Sequence, residues 1–338
     1  MRHFLKSVAT FSALSIIACT PVFLSAKSAI AVDSILLASF YIDISNTDSE
    51  KVNPYLNQGA SRVLSGDYKG AIEDFTEALR IDPKSVNAYN NRAFARIRLG
   101  DYKKAIEDCN QALEINPKDV GVYINRGSAR TYLGDYKEAI KDYSQALEID
   151  PKYDSAYHGR GIARSELGDP KGAIEDFNQA LEIDPKYTSA YKNRGHARAR
   201  LGDHKGAIED YNQALEIDSD SSETYLLRGS SRARLEEHKG AFEDYNQALR
   251  INDNSALISL TQALGGQENY RGTIADSKKF LQINPNDALA FLNQGVARAL
   301  LRDKQGAIAD LQKAADLFQQ QGRTQNYQKV IEILTAIR

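Results

Sequence analysis

Tryptophan is absent, methionine occurs once, and only two cysteines and eight prolines are spread over 338 residues. Two cysteines exclude a disulfide framework. Charge of one sign is missing as well, since 43 Lys+Arg stand against 45 Asp+Glu. A nucleic-acid binder needs a cationic excess to displace counterions from phosphate, so this balance argues against one. The sequence also lacks HExxH, GxxxxGK[ST], GxSxG and any paired CxxC, which removes the usual starting points for zinc hydrolysis, nucleotide binding, serine catalysis and thiol redox chemistry. With 26% charged residues and a mean hydropathy of −0.48, the chain reads as two or three domains or as one elongated, surface-rich molecule. Internal repetition decides between these.

The N-terminus stands apart. Arg2, His3 and Lys6 precede an uncharged stretch from Ser7 to Ala26, followed by Ser28-Ala29-Ile30-Ala31. This is the order of a secretory signal, with cleavage after Ala31. Two alternatives use the same residues. Ile16-Ile17-Ala18-Cys19 resembles a lipobox, with lipidation at Cys19, and about 20 uncharged residues can span a bilayer as a retained anchor. All three readings export the rest of the chain to the periplasm or another extracytoplasmic compartment, and leave residues 32 to 51 as a linker.

Beyond residue 51 the sequence copies itself. GDYKGAIEDFTEALRIDP (66 to 83), GDYKKAIEDCNQALEINP (100 to 117), GDYKEAIKDYSQALEIDP (134 to 151) and GDPKGAIEDFNQALEIDP (168 to 185) start 34 residues apart. Further copies begin at Gly202, Glu236 and Arg302, with a shortened one around Asn269. Such a period indicates a solenoid, because a single unit cannot bury its own apolar face. Each unit reads as two helices. Tyr89, Ala93 and Ile97 fall at helical spacing, as do Ala105, Cys109, Ala112 and Leu113. Gly100 suits a left-handed helix end, Asp101 is placed to cap the next helix, and Pro117 stops it.

Tyr123, Gly127, Tyr136, Ala139, Tyr143, Ala146 and Pro151 in the third copy resemble the tetratricopeptide repeat (TPR), a 34-residue helix-turn-helix module. The resemblance, to exported bacterial members of that family, implies an all-α fold: a right-handed superhelix, or α-solenoid, of eight repeats. The units are 52–85, 86–119, 120–153, 154–187, 188–221, 222–255, a shortened 256–287 and 288–321. Residues 324–338 read as an amphipathic capping helix. In the sixth and seventh units Glu236 replaces the turn glycine and Ser219 and Asp253 replace the closing proline, so the region 253–275 is expected to be the weakest link.

Charges also follow the period. Arg92, Arg126, Arg160, Arg194 and Arg228 stand where the family usually has Leu, and Asp74, Asp108, Asp142, Asp176, Asp210, Asp244, Asp276 and Asp310 recur in the second helices. A separation of 16 residues sets Arg92 and Asp108 across one hairpin, which predicts a partly buried Arg–Asp pair in each central repeat. Eightfold recurrence marks these carboxylates as scaffold rather than active site. Cys109 fills a slot held elsewhere by Phe or Tyr and reads as a small buried hydrophobe. His204 and His238 replace a turn Tyr, and the remaining histidines are too few for a zinc site. No cofactor or metal is expected, and no enzymatic activity.

The resemblance further implies a concave groove lined by first helices, which binds an extended peptide or a partner's helix. Carried onto this chain, the groove consists of Asn57, Asn90, Asn91, Phe94, Arg98, Asn125, Tyr132, His158, Glu166, Lys192, Asn193, His196, Arg200, Arg234 and Asn293. Asn at the sixth position of five units can donate to and accept from a peptide backbone. The mixed, mildly cationic lining suits a peptide with acidic character. The carboxylate clamp of chaperone-binding TPR domains is not assembled, because Leu227 occupies the sixth position after Lys192. The expected partners are proteins or peptides in assembly of an extracytoplasmic or membrane-associated complex. The alternative is an architectural subunit that uses its convex face or edges.

Overall fold

The computed structural model describes residues 53–251, 267–283 and 285–337. The N-terminal segment, Cys19, the linker and residues 252–266, at the end of the sixth unit and the start of the seventh, lie outside the described residues. Sixteen α-helices and no strand occur among those described, so the fold is all-α. They divide between residues 201 and 202 into two compact units.

The first unit contains α1 (Asn53–Leu64), α2 (Tyr68–Ile81), α3 (Val86–Arg98), α4 (Tyr102–Ile115), α5 (Val120–Leu133), α6 (Tyr136–Ile149), α7 (Asp154–Leu167), α8 (Pro170–Ile183) and α9 (Thr188–Arg200). Each packs against the next. The odd-numbered helices also touch one another across repeats, more extensively than the even-numbered ones do, so within this unit the odd-numbered helices form the more crowded, inner side. The second unit contains α10 (His204–Ile217), α11 (Ser222–Arg234), α12 (His238–Arg250), α13 (Gln267–Ile283), α14 (Ala288–Leu300), α15 (Lys304–Gln320) and α16 (Thr324–Ile337). Helix α16 lies on α15 and buries Val330, Leu334 and Ile337 in the core that holds Phe318.

Close approach within a hairpin depends on one pair of positions 16 residues apart. A Cβ added to Gly59, Gly127, Gly161 or Gly229 would collide with the ring of Phe75, Tyr143, Phe177 or Tyr245 respectively. The second repeat solves the same problem differently. It has Ala93 where the others have Gly and Cys109 where they have a ring, both wholly buried. The added methyl is matched by the lost aromatic, which keeps core volume near constant. Burial also pushes the Cys109 thiol far above its ordinary value, so it is an inert packing residue.

The turn between paired helices uses a left-handed residue. Gly100 (φ 82°) and Gly134 (φ 83°) take it without cost, but Glu236 (φ 61°) and Arg302 (φ 64°) take it with a side chain attached. The following Asp was expected to cap the second helix. Asp67, Asp169, Asp203 and Asp303 do so, accepting from the amides of Gly70, Gly172, Gly206 and Gly306 at 2.9–3.0 Å. Asp101 does not, which corrects the expectation. A Cβ three residues on would strike the capping carboxylate, and that position is Lys104 in the second repeat. Asp101 pairs with the Lys104 ammonium at 2.9 Å instead.

Two outcomes follow. Cys109→Phe alone should destabilise by about 1–3 kcal/mol through overpacking, and adding Ala93→Gly should recover most of that loss in urea unfolding. Glu236→Gly and Arg302→Gly should each raise stability by about 1 kcal/mol, because they remove a side chain from a left-handed turn. Unchanged unfolding midpoints would contradict the strain.

Candidate functional site: the first-helix face

The predicted Arg–Asp pairs of Arg92, Arg126, Arg160 and Arg228 form, and each is one half of a larger clamp. Arg126 reaches across its hairpin to Asp142 (Nη2 to Oδ1, 2.7 Å), and Arg130, one turn further along α5, reaches the other carboxylate oxygen (Nη1 to Oδ2, 2.6 Å). The same double grip joins Arg92 and Arg96 to Asp108, Arg160 and Arg164 to Asp176, and Arg228 and Arg232 to Asp244. Burial pushes the carboxyls of Asp108, Asp142 and Asp176 upward, and the guanidinium groups pull the other way. In the end repeats a Gln stands at the first Arg position. Gln294 donates to Asp310 at 2.9 Å, beside Arg298.

The first Arg of each central repeat also ties neighbouring repeats together. Its second Nη donates backwards to the side chain 16 residues earlier: Arg92 to Thr76, Arg126 to Asn110, Arg160 to Ser144, Arg194 to Asn178 and Arg228 to Asn212. The guanidinium lies 5.3–5.6 Å from the ring of the Tyr three residues before it, as with Arg126 on Tyr123. The second Arg row escaped the sequence reading although it carries the same 34-residue beat. Its signal was the recurrence of Arg62, Arg96, Arg130, Arg164, Arg198, Arg232 and Arg298.

These clamps turn constant side chains into the body and leave the inner face to variable ones. Several residues expected to line an open groove are in fact enclosed. Asn90, Asn91, Phe94, Asn125, His158 and Asn293 are all less than 8% exposed. The asparagine row is inter-repeat structure where it pairs: Asn125 Nδ2 donates to Asn90 Oδ1 at 2.8 Å, and Asn193 Nδ2 lies 2.8 Å from His158 Nε2. A buried amide must find a partner, and the neighbouring first helix supplies it before a peptide can. Asn293 bonds Asn246, 47 residues away in the second unit.

Arg98, Tyr132, Glu166, Lys192, Asn193 and His196 are half-buried, and Asn57, Arg200 and Arg234 exposed. Arg234 belongs to the second unit, while the others share the first. At the thirteenth position of successive repeats, each residue meets the preceding repeat. Arg98 stacks over Tyr68 (5.4 Å), Tyr132 lies flat on Tyr102 (4.8 Å between centroids, 6° between planes), and Arg200 donates to the Ser165 carbonyl at 2.6 Å. Burial, together with the Glu166 charge, pushes the Tyr136 phenol up. Among the described residues no group of three His, Cys, Asp or Glu side chains is placed to hold a metal, and no helix is long and apolar enough to cross a membrane.

Comparison with known proteins agrees with this architecture. A family model described as "TPR repeat" matches residues 59–100 and 127–168, and one described as "Tetratricopeptide repeat" matches 86–119, 155–187 and 188–221. A search of curated proteins finds no match. Among solved structures, the chain is similar to a tetratricopeptide repeat protein from Parabacteroides merdae ATCC 43184. That match has 18% identity and a TM-score of 0.52, and covers 86% of this chain and 99% of that one. It is also similar to PilW, a type IV pilus biogenesis factor, at 23% identity and TM-score 0.57, covering 60% of this chain and 94% of that one.

Replacing Asp142 by Asn should destabilise the array by about 3 kcal/mol, since two largely buried guanidinium groups lose their counter-charge. Replacing Arg126, Arg130 and Asp142 together by apolar residues of similar volume should cost far less. Equal losses in denaturant unfolding would reject the clamp as the source. The repeat pattern, its helical pairs and the matched family models establish that this chain is a tetratricopeptide-repeat protein, of a family that is in general a non-enzymatic scaffold for protein–protein interaction.

Proposed function

We propose that the first-helix face of residues 86–200 binds an extended peptide or a partner's helix, with acidic side chains favoured, and that the protein serves assembly of an extracytoplasmic or membrane-associated complex. One observation carries the reading: the repeats differ mainly in their first helices, and there three positions spaced four apart change from each repeat to the next between the second and the fifth. The second helices are near copies, YKKAIEDCNQALEI beside YKEAIKDYSQALEI and PKGAIEDFNQALEI. The first helices keep their Tyr and both clamp arginines but change at the fifth, ninth and thirteenth positions. These read Asn90, Phe94 and Arg98, then Ile124, Ser128 and Tyr132, then His158, Ile162 and Glu166, then Lys192, His196 and Arg200. Spacing of four places each set on one face of its helix. Stacking of the repeats does not require these positions to differ, whereas recognition of one partner uses such differences.

Within that stripe the residues with surface to offer are Arg98, Tyr132, Glu166, Lys192, His196 and Arg200. They combine one aromatic platform with a cationic excess. A second reading rests on the edges. Within the first unit, Leu99, Leu133, Leu167 and Leu201 on one side, and Ile115, Ile149 and Ile183 on the other, are 38–45% exposed. Such rows suit an architectural subunit held through its edges.

The two readings separate in one experiment. A library of acidic extended peptides is screened against the full chain, and the best binder is titrated against Arg98→Ala/Tyr132→Ala/Arg200→Ala and against Leu133→Ser/Leu167→Ser at matched helicity. The inner-face reading expects at least about a tenfold loss in the first variant only, as hot spots of this composition show. A loss confined to the second variant would transfer the function to the edge.

A further inference from the structure

We propose that His158 is an acid-sensitive latch between the fourth and fifth repeats, closed while its ring is neutral and opened by protonation. The ring is wholly buried at the seam between α7 and α9. Both of its nitrogens are engaged there: Nδ1 lies 3.0 Å from the Tyr187 hydroxyl and Nε2 lies 2.8 Å from the Asn193 amide nitrogen. The Phe177 and Tyr187 rings close over it at 5.7 and 4.6 Å between centroids. A neutral imidazole satisfies this arrangement completely. With Asn193 donating to Nε2, the ring proton sits on Nδ1 and is donated to Tyr187.

Protonation breaks the match. The new N–H on Nε2 would face the Asn193 amide donor. Turning that amide would present its oxygen but leave a whole positive charge buried without a carboxylate partner. The groups around the ring show why none arrives. Helix α8 contributes the uncharged Phe177, and the chain before α9 contributes Tyr187. Helix α9 itself contributes Asn193 and a cation, Lys192, which opposes a second positive charge. On α7, Asp154 lies one turn earlier with its carboxylate on the Ser155 amide, and α6 brings the Tyr143 ring against the neighbouring Gly159. Burial first, and then Lys192, push the imidazole down to about 3, against a smaller opposing pull from the Ser189 backbone on α9. The folded value is therefore depressed below the ordinary 6.5. The stability this site contributes is fully present above that ordinary value and is lost progressively as pH falls from about 6.5 toward about 3.

The second repeat provides a non-titrating version of the same joint. Asn90 stands where His158 does, one repeat pair earlier, and accepts from Asn125 in the same geometry at 2.8 Å. In a repeat array each interface is a nearest-neighbour link, so loss of this one uncouples the repeats on either side while leaving the others intact. Acid would thereby loosen the inner face between α7 and α9 without any ligand being involved, and the test needs no partner.

The experiment compares the full-length chain with His158→Asn. Thermal unfolding is followed from pH 7.5 to 4.5 and the His158 ring is observed by NMR. The wild-type Tm should fall by about 5 °C more than that of the variant across this range, and the folded ring should not titrate. If the Asn variant does not fold, His158→Ile, which places the side chain of Ile124 at this position, serves the same comparison. A ring that titrates near 6.5 while the seam amides stay protected from exchange, or a variant whose pH profile overlays the wild type, would overturn the latch.

Discussion

A single carboxylate gripped by two guanidinium groups organises the second, third, fourth and sixth hairpins of this protein. Asp142 receives Arg126 and Arg130 from the facing helix and is 2% exposed. Burying three charges has a large desolvation cost, and the mutual attraction offsets it only when geometry is near ideal. Here it is, because a planar guanidinium fits a carboxylate side by side and helical spacing delivers a second Arg four residues on. Apolar residues would hold the two helices together in several registers. The clamp is satisfied in one, and the partner groups on the preceding repeat, such as Asn110 for Arg126, extend that register from hairpin to hairpin.

The rest of the core accommodates this arrangement with small residues. Alanines at 0% exposure, among them Ala105, Ala139, Ala173 and Ala207, and a glycine under each second-helix ring let the backbones approach closely enough for short Arg–Asp contacts. The exchange of Gly for Ala93 alongside ring for Cys109 shows how tightly volume is controlled: the pair changes together or the hairpin opens. What remains variable is the inner stripe, where nothing in the clamp depends on residue type. Recognition chemistry can therefore change from repeat to repeat without touching the fold.

The inner stripe is not a row of free hydrogen-bonding amides. The seam between first helices uses Asn90 with Asn125, and His158 with Asn193, to satisfy groups that close packing has removed from water. The corresponding positions between these two latched seams are Ile124 and Gly159, neither of which has a side chain able to form such a bond. The joints thus differ in chemistry along an otherwise regular array, and the one that contains His158 is the one whose protonation state matters.

The period, the helical pairs, the turn glycines and the first clamp row were legible in the sequence alone, because each is a local or one-repeat relation: Gly100 and Asp101 mark a turn, and a 16-residue offset sets Arg92 opposite Asp108. The missed cap at Asp101 was legible too, in the change from Gly70 to Lys104 at the third residue beyond the turn. Only the tertiary structure decided which of the fifteen expected groove residues keep a surface. Phe94, Asn125 and His158 lie on first helices just as Arg98 and Arg200 do, and nothing in their spacing distinguishes them. Enclosure depends on how closely the next first helix approaches, 34 or 35 residues away, and on which side chain it brings. That is set by stacking between repeats, a relation that a periodic pattern implies for all positions equally and that packing resolves one residue at a time.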